Sequence, residues 1–389
     1  MRVAIITNLF PPIQTGSAYW AEELAAALAG AGDEVVVVTC RVGGAPEVER
    51  RRGVTVHRLP PVKRLPALRL FMNFDQFYLL WSRANLERTM SILREQRVEL
   101  VHQCGQLLDS ILLTRQACRR LDLPSVCSIH TKIYHPGSRL YDAVLRAADK
   151  TAVRRLAISG FDCVIALDKT IADYVSETYR PRRVVIVPPC IDSRLVEVAA
   201  ADPASDGRLH VLSVGHVTEM RNRAELFPAL AELRKGGREL RLTVVGKILT
   251  EGAKRMIDAL GLSDDVHFTG EVARDRLIDL LRSAHFEAHW LDIPGIGTAA
   301  LEAMALGLPI ITHGYEGIYG GEVPFRHGEN VMFVDPRSPG AVRDAACALA
   351  RDPALRGIIG ANARRLVKTH LTWEPTVAKI RSHYESVLG

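Results

Sequence analysis

Long apolar runs are missing from this 389-residue chain. None approaches the roughly 18 residues that a membrane-spanning helix needs, so no transmembrane segment is expected. The opening "MRVAIITNLFPP" has a short apolar run that ends in a double proline, which reads as a first strand and its turn rather than a secretion signal. Cysteine is sparse and unpatterned: the seven residues (40, 104, 118, 127, 163, 190, 347) are odd in number and include no C-x-x-C. That excludes a disulfide frame and a zinc site, and it points to free thiols in a reducing, cytoplasmic setting. Also missing are a D-x-D for a metal–diphosphate bridge, a P-loop, a G-x-S-x-G, and His, Cys or Asp at metal-ligand spacing. No metal or other cofactor is therefore expected. A net charge of +6 without a basic, aromatic-studded surface argues against a nucleic-acid partner.

What is present alternates. "RVAIIT" (2–7) and "DEVVVVTC" (33–40) read as strands around the helical "AYWAEELAAALAGAG" (18–32), and "ELVHQ", "LLDSILLTRQACRRLD", "PSVCSIH", "CVIALD" and "RVVIVPP" continue the pattern. Strands alternating with helices imply a parallel sheet covered on both faces. The polar, small-residue-rich "SRLVEVAAADPASDGR" (193–208) reads as a linker, after which "LHVLSVG", "ELRLTVVG", "DVHFTG", "HFEAHW", "PIITHG" and "NVMFVD" start a second doubly wound unit. The fold class expected is α/β, with two Rossmann-like domains facing across a cleft. The basic and aromatic region 41–81 reads as a strand with solvated charges and a helix packing on the first domain. The alternative is a patch for a membrane surface or an acidic acceptor.

Ligands of open α/β sheets sit beyond the carboxyl ends of the strands, so chemistry is sought in those turns. In "TNLFPPIQTGSAYWAEEL" (7–24), Gly16 stands just before a helix N-terminus that suits phosphate. "SVGHVTEMRNR" (213–223) places Arg221 and Arg223 after a strand, where arginine forks can grip a diphosphate. "VVGKIL" (244–249) puts Lys247 right after a strand-ending glycine. In "WLDIPGIGTAALEAMALGLP" (290–309), a helix from about Thr298 to Leu306 sets Glu302 one turn in, on the face of Thr298. There a carboxylate could accept two ribose hydroxyls while the Gly295–Gly297 amides meet phosphate oxygens. Ordinary capping, solvated arginines and a solvated glutamate are the plain alternatives. "GIGTAA" also fits a dinucleotide fingerprint with Glu316 downstream, but it sits late in its domain, not in the first βαβ unit.

Together these segments resemble the family 4 glycosyltransferases of GT-B fold. The resemblance runs from "FPPIQTGSAYWAEELAAALAGAGDEVVVVT" through "VIVPPCID" and "VHFTGEV", and "LEAMALGLPIITH" is its most specific stretch. "LTWEPTVAKIRSHYESVLG" resembles that family's terminal helix, which implies an acceptor domain at 1–193, a nucleotide-sugar domain at 208–367 and a returning helix at 368–389. By the same resemblance, Glu302 matches the second glutamate of an E-x7-E motif and contacts ribose. Arg221 matches one member of a cationic diphosphate pair, and His130 in "SIHTK" matches a histidine near the donor sugar. The pattern is departed from at Pro294, which stands where the first glutamate would read sugar hydroxyls, at Trp290-Leu291, where the family has P-S, and at His216, where the second cation would stand.

The implied activity is retaining, metal-independent transfer of a sugar from a UDP- or GDP-sugar, with the departing phosphate deprotonating the acceptor. Catalytic roles fall on His130, Arg221 and Lys247. Donor binding falls on Gly16, His216, Arg221, Lys247, Pro294, Gly295, Ile296, Gly297, Thr298 and Glu302. The loss at Pro294 suggests an unusual donor and a small polar acceptor, such as a cyclitol, an aminocyclitol or a low-molecular-weight thiol of natural-product biosynthesis. A nucleotide-sugar 2-epimerase, a lipid-acceptor enzyme using 41–81, and a non-catalytic binder of nucleotide sugar are the alternatives.

Overall fold

Val3, Ala4, Ile5 and Ile6 are all fully buried, so the first strand is apolar on both faces, as a central parallel strand must be. The computed structural model describes the chain apart from residues 14, 67–75, 107, 133–138, 157, 204–205, 218–224, 290–293, 336 and 339, with backbone alone at 63–66, 76, 77, 108 and 141. Arg221 and Arg223 thus lie outside the described residues, as do Trp290 and Leu291.

The chain divides into two units, Met1–Pro188 with Thr376–Gly389, and Pro189–Pro375. Unit 1 is built on β1 (Arg2–Ile6), β2 (Glu34–Cys40), β3 (Val48–Arg51) and β4 (Val54–Leu59). β5 (Lys63–Pro66) and β6 (Gln76–Leu79) follow, then β7 (Leu100–Cys104), β8 (Ser125–Ile129), β9 (Cys163–Ala166) and β10 (Val184–Ile186). Among the described residues its main sheet has the order β10-β9-β8-β7-β1-β2-β4-β3, parallel except for the edge strand β3. The order reverses between β1 and β7. β5 and β6 form a separate antiparallel pair. This corrects the helix expected late in 41–81: the described part of that stretch, from Gln76, is a strand. Antiparallel backbone pairing with β5 outweighs the weak helical period of an aromatic stretch, a residue class that favours strands.

Unit 2 carries β11 (Leu209–Val214), β12 (Leu240–Val245), β13 (Val266–Gly270), β14 (Phe286–Ala288), β15 (Ile310–His313) and β16 (Met332–Val334). They form a parallel sheet ordered β13-β12-β11-β14-β15-β16. The chain builds outward from β11 on one side and returns to β14 on the other, so the switch point lies between β11 and β14. Apolar clusters cover the sheet from both faces, one around Leu301, Met304 and Val367, the other around Phe227, Leu242 and Ile311. The segment expected as a linker is no exposed tether at its start. Leu195 and Val196, in the short 3-10 turn Ser193–Glu197, are buried in the first of those clusters.

The helix Thr298–Ala305 is nearly all Ala, Leu and Met, and Ala300, Leu301, Ala303, Met304 and Ala305 are buried. Its neighbour Pro353–His370 comes so close that a Cβ on Gly360 would lie 2.0 Å from the Gly307 carbonyl oxygen. Only glycine permits that approach.

Candidate active site

The described candidate residues of unit 2 lie at the carboxyl ends of β11 to β14, around the switch point. After β11 comes Gly215, and after β12 comes Gly246, with φ of +123° and +135°. A Cβ on Gly246 would sit 2.6 Å from the Gly215 carbonyl oxygen, so the two strand ends can touch only through glycine. Beyond them the chains stay paired: the Val217 amide donates to the Lys247 carbonyl at 2.9 Å, and the Leu249 amide to the Val217 carbonyl at 2.8 Å.

His216 and Lys247 are consequently neighbours. The Lys247 amide donates to His216 Nδ1 at 3.1 Å, which leaves the imidazole proton on Nε2. Glu271, immediately after β13, completes the group: its Oε2 lies 3.1 Å from Lys247 Nζ and its Oε1 4.0 Å from His216 Nε2. Lys247 and Glu271 are both more than half exposed, so their pairing contributes little stability and an anion can displace it.

The glycine turn after β14 is pinned on every side. The Gly295 amide donates to the His313 carbonyl at 3.0 Å, while the Gly295 carbonyl accepts from Thr312 Oγ1 at 3.0 Å. The Ile296 carbonyl accepts from Tyr319 at 2.8 Å, and the Gly297 amide donates to His289 Nε2 at 3.2 Å. The expectation that the amides of Gly295 and Gly297 face a phosphate changes here, because both already donate within the protein. Gly297 is the N-cap of the Thr298–Ala305 helix and no side chain caps that end. The first-turn amides, Thr298 foremost, lack an intrahelical partner and point outward. Pro294 directly precedes this pinned turn and brings no carboxylate to it.

Glu302 lies one turn into that helix, its side chain 14% exposed and its Oε1 2.9 Å from Arg274 Nη1. Burial pushes its carboxyl pKa up; Arg274 pulls it back and Glu287 opposes. Glu287 and His289, two residues apart around the end of β14, are both buried, with Nδ1 and Oε1 3.1 Å apart.

In unit 1, His130 follows β8, with Nε2 3.2 Å from Ser128 Oγ and its ring 4.6 Å from Trp20 in an edge-on arrangement. Burial lowers its pKa to about 4, so the ring is neutral at pH 7 and offers one donor and one acceptor. Gly16 opens the helix Gly16–Gly30, capped by Thr15 Oγ1 accepting from the Ala18 amide at 3.1 Å. A Cβ on Gly16 would meet nothing within 4 Å, so space lies open there.

Sequence reasoning missed Glu271, Arg274, Glu287 and His289. For Glu287 and His289 the signal was polar residues at alternate positions of "HFEAHW", which holds the central strand β14; Glu271 and Arg274 had none.

Two family profiles divide the chain between them. Residues 15–195 match Glycosyltransferase Family 4 and residues 198–366 match Glycosyl transferases group 1. The chain belongs to the family 4 glycosyltransferases. Among its relatives, D-inositol 3-phosphate glycosyltransferase of Kineococcus radiotolerans is 28% identical, over 94% of this chain and 90% of its own. The 2-deoxystreptamine glucosyltransferase of Streptomyces kanamyceticus is 26% identical, over 93% of this chain and 97% of its own. Anabaena HepE, solved with UDP, superposes with a TM-score of 0.72 at 15% identity, over 99% of this chain and 100% of its own. The glycosyltransferase therefore has the GT-B fold, and its second unit is the one that matches the group 1 profile. Among the described residues no helix is long and apolar enough to cross a membrane.

Proposed function

We propose that this glycosyltransferase moves a sugar, with retention, from a UDP- or GDP-sugar to a small polar acceptor: a cyclitol, an aminocyclitol or a low-molecular-weight thiol. The observation that carries the reading is the group at the β11/β14 switch point. There an exposed lysine, an uncapped helix N-terminus and a nearly buried carboxylate lie at adjoining strand ends. Glu302 takes the ribose hydroxyls. Lys247, released from Glu271, and the first-turn amides of Thr298–Ala305 take the diphosphate, with Arg221 as a further cation. The protein's work is to stabilise charge on the departing diphosphate. The bond from the anomeric carbon to the phosphate oxygen breaks as the acceptor attacks on the same face. The acceptor proton passes to the leaving phosphate, so no enzyme nucleophile is needed. His130, neutral in unit 1, is the residue that the family resemblance assigns to the donor sugar. The relatives named for inositol phosphate and deoxystreptamine acceptors support the small polar acceptor. Pro294 supports an unusual donor sugar, since a proline side chain has no group to hydrogen-bond sugar hydroxyls.

The test is a panel of UDP- and GDP-sugars read by thermal shift and then by product formation with cyclitol, aminocyclitol and thiol acceptors. Saturable binding raises the melting temperature of the native state, and Lys247→Ala should lower kcat by roughly 10²-fold or more. The reading fails if no nucleotide sugar binds. A free epimer released without acceptor, or transfer only to lipid, would also replace it.

A further inference from the structure

Glu302 cannot be understood alone. Arg274, at the start of the helix Arg274–Ser283, pairs with it, Glu287 within β14 acts on its charge, and His289 just after β14 in turn holds Glu287. Glu302 and Glu287 are the two acids of this group. Glu287 is fully buried, and its Oε2 has no hydrogen-bond partner among the described residues. Arg274, 59% exposed, is the cation that pairs with Glu302, and its charge also helps to lower the Asp192 carboxyl pKa. Two neighbouring carboxylates in low dielectric resist being ionised together.

We infer that Arg274 is a positioning residue that keeps Glu302 ionised and aimed, so that its carboxylate can accept the hydroxyl pair of a nucleoside ribose. This rests on the nucleotide-sugar reading of the site. Arg274 holds one oxygen of Glu302, which fixes the carboxylate plane from one side. Without the guanidinium, burial and Glu287 both favour the protonated acid, which turns one oxygen into a donor and can no longer accept two hydroxyls. The pairing is also dispensable for packing, since Arg274 lies mostly in solvent. Its loss should therefore leave the fold intact and change only the protonation and aim of Glu302.

The test compares wild type with Arg274→Gln, Arg274→Lys and Glu302→Gln. Affinity for UDP and GDP is measured by calorimetry from about pH 5 to about pH 8, a range that brackets a raised carboxyl. In parallel the Glu302 carboxyl is titrated by carbon NMR of labelled glutamate, its signal assigned by its loss in Glu302→Gln. In Arg274→Gln the Glu302 titration should move up by about one pH unit or more. The pH below which nucleotide affinity falls should move up with it, and Arg274→Lys should restore both. An unmoved Glu302 titration overturns the inference, as does an affinity loss of equal factor at every pH, which would mean direct contact with the ligand. Wild-type protein that binds neither nucleotide overturns the functional reading and this inference together. Failure of the inference alone is distinct: Glu302→Gln then weakens binding as the reading requires, while Arg274→Gln keeps the wild-type profile.

Discussion

Glu287 and His289 put two polar side chains where a central strand ordinarily places aliphatic ones, and their partners explain why they are tolerated. His289 Nε2 takes the Gly297 amide and its Nδ1 faces Glu287, so one imidazole ties a buried carboxylate to the glycine turn. Replacing His289 with leucine leaves Glu287 buried and unpaired, which should cost about 3–5 kcal/mol. Adding Glu287→Leu should recover most of that loss, because two well-packed apolar groups can replace a buried pair. Nucleotide affinity should stay low in the double variant, since the Gly297 amide is still unheld. Urea midpoints and calorimetry measure the two quantities separately, and joint recovery of both would remove His289 from the site. The residue scale also shows where reading the sequence stopped. Glu302 was legible because its neighbours in "LEAMALGLP" set it on a helix face one turn in. Arg274 was not, because its partner lies 28 positions along the chain and meets it only through the order of β11 to β14.

At the scale of elements, the Thr298–Ala305 helix is too short to hold itself and depends on what packs against it. Pro353–His370 supplies that support through the Gly360–Gly307 approach, with Pro353 at the first turn and Asp352 Oδ1 accepting from the Leu355 amide at 2.9 Å. Gly360→Ala pushes the two apart. A loss of about 1–3 kcal/mol is expected from overpacking, together with weaker nucleotide binding, because the helix start carries the open amides. Denaturant unfolding and nucleotide titration of this one variant check both parts; a stable protein with reduced affinity, or the reverse, would break the proposed link. The strands and most helices were legible from alternation, since each apolar run in a buried parallel strand is nearly continuous. The strand Gln76–Leu79 was not: the aromatic run around it lacks a clear period, and pairing with β5 decides its backbone.

At the scale of the whole molecule, each unit has its own core, and the C-terminal helix Trp373–Leu388 belongs mostly to unit 1. Tyr384 is fully buried there and hydrogen-bonds His102 Nδ1, while Arg381 Nε lies 3.1 Å from the buried Asp33 carboxylate. Closing that helix over β7 buries His102 completely. Burial lowers its pKa to about 3, from an ordinary value of 6.5, and His130 nearby adds to the effect. Between those two values the unfolded chain binds the proton and the folded one does not, so folding stability rises with pH across that window. The stabilising contribution of neutral His102 is thus complete above about pH 6.5 and is lost as pH falls toward about 3. Asp109 and Asp149, raised by burial in the same unit, act with the opposite sign at the acid end of the window, so total stability is a poor readout. The difference between wild type and His102→Asn isolates the imidazole, because asparagine does not titrate yet can still bond Tyr384. Wild type should lead at pH 7, and its lead in urea midpoint should shrink steadily as the pH is lowered. A lead that stays constant with pH would mean that the ring is reached by water, and that the C-terminal helix does not seal unit 1 as described.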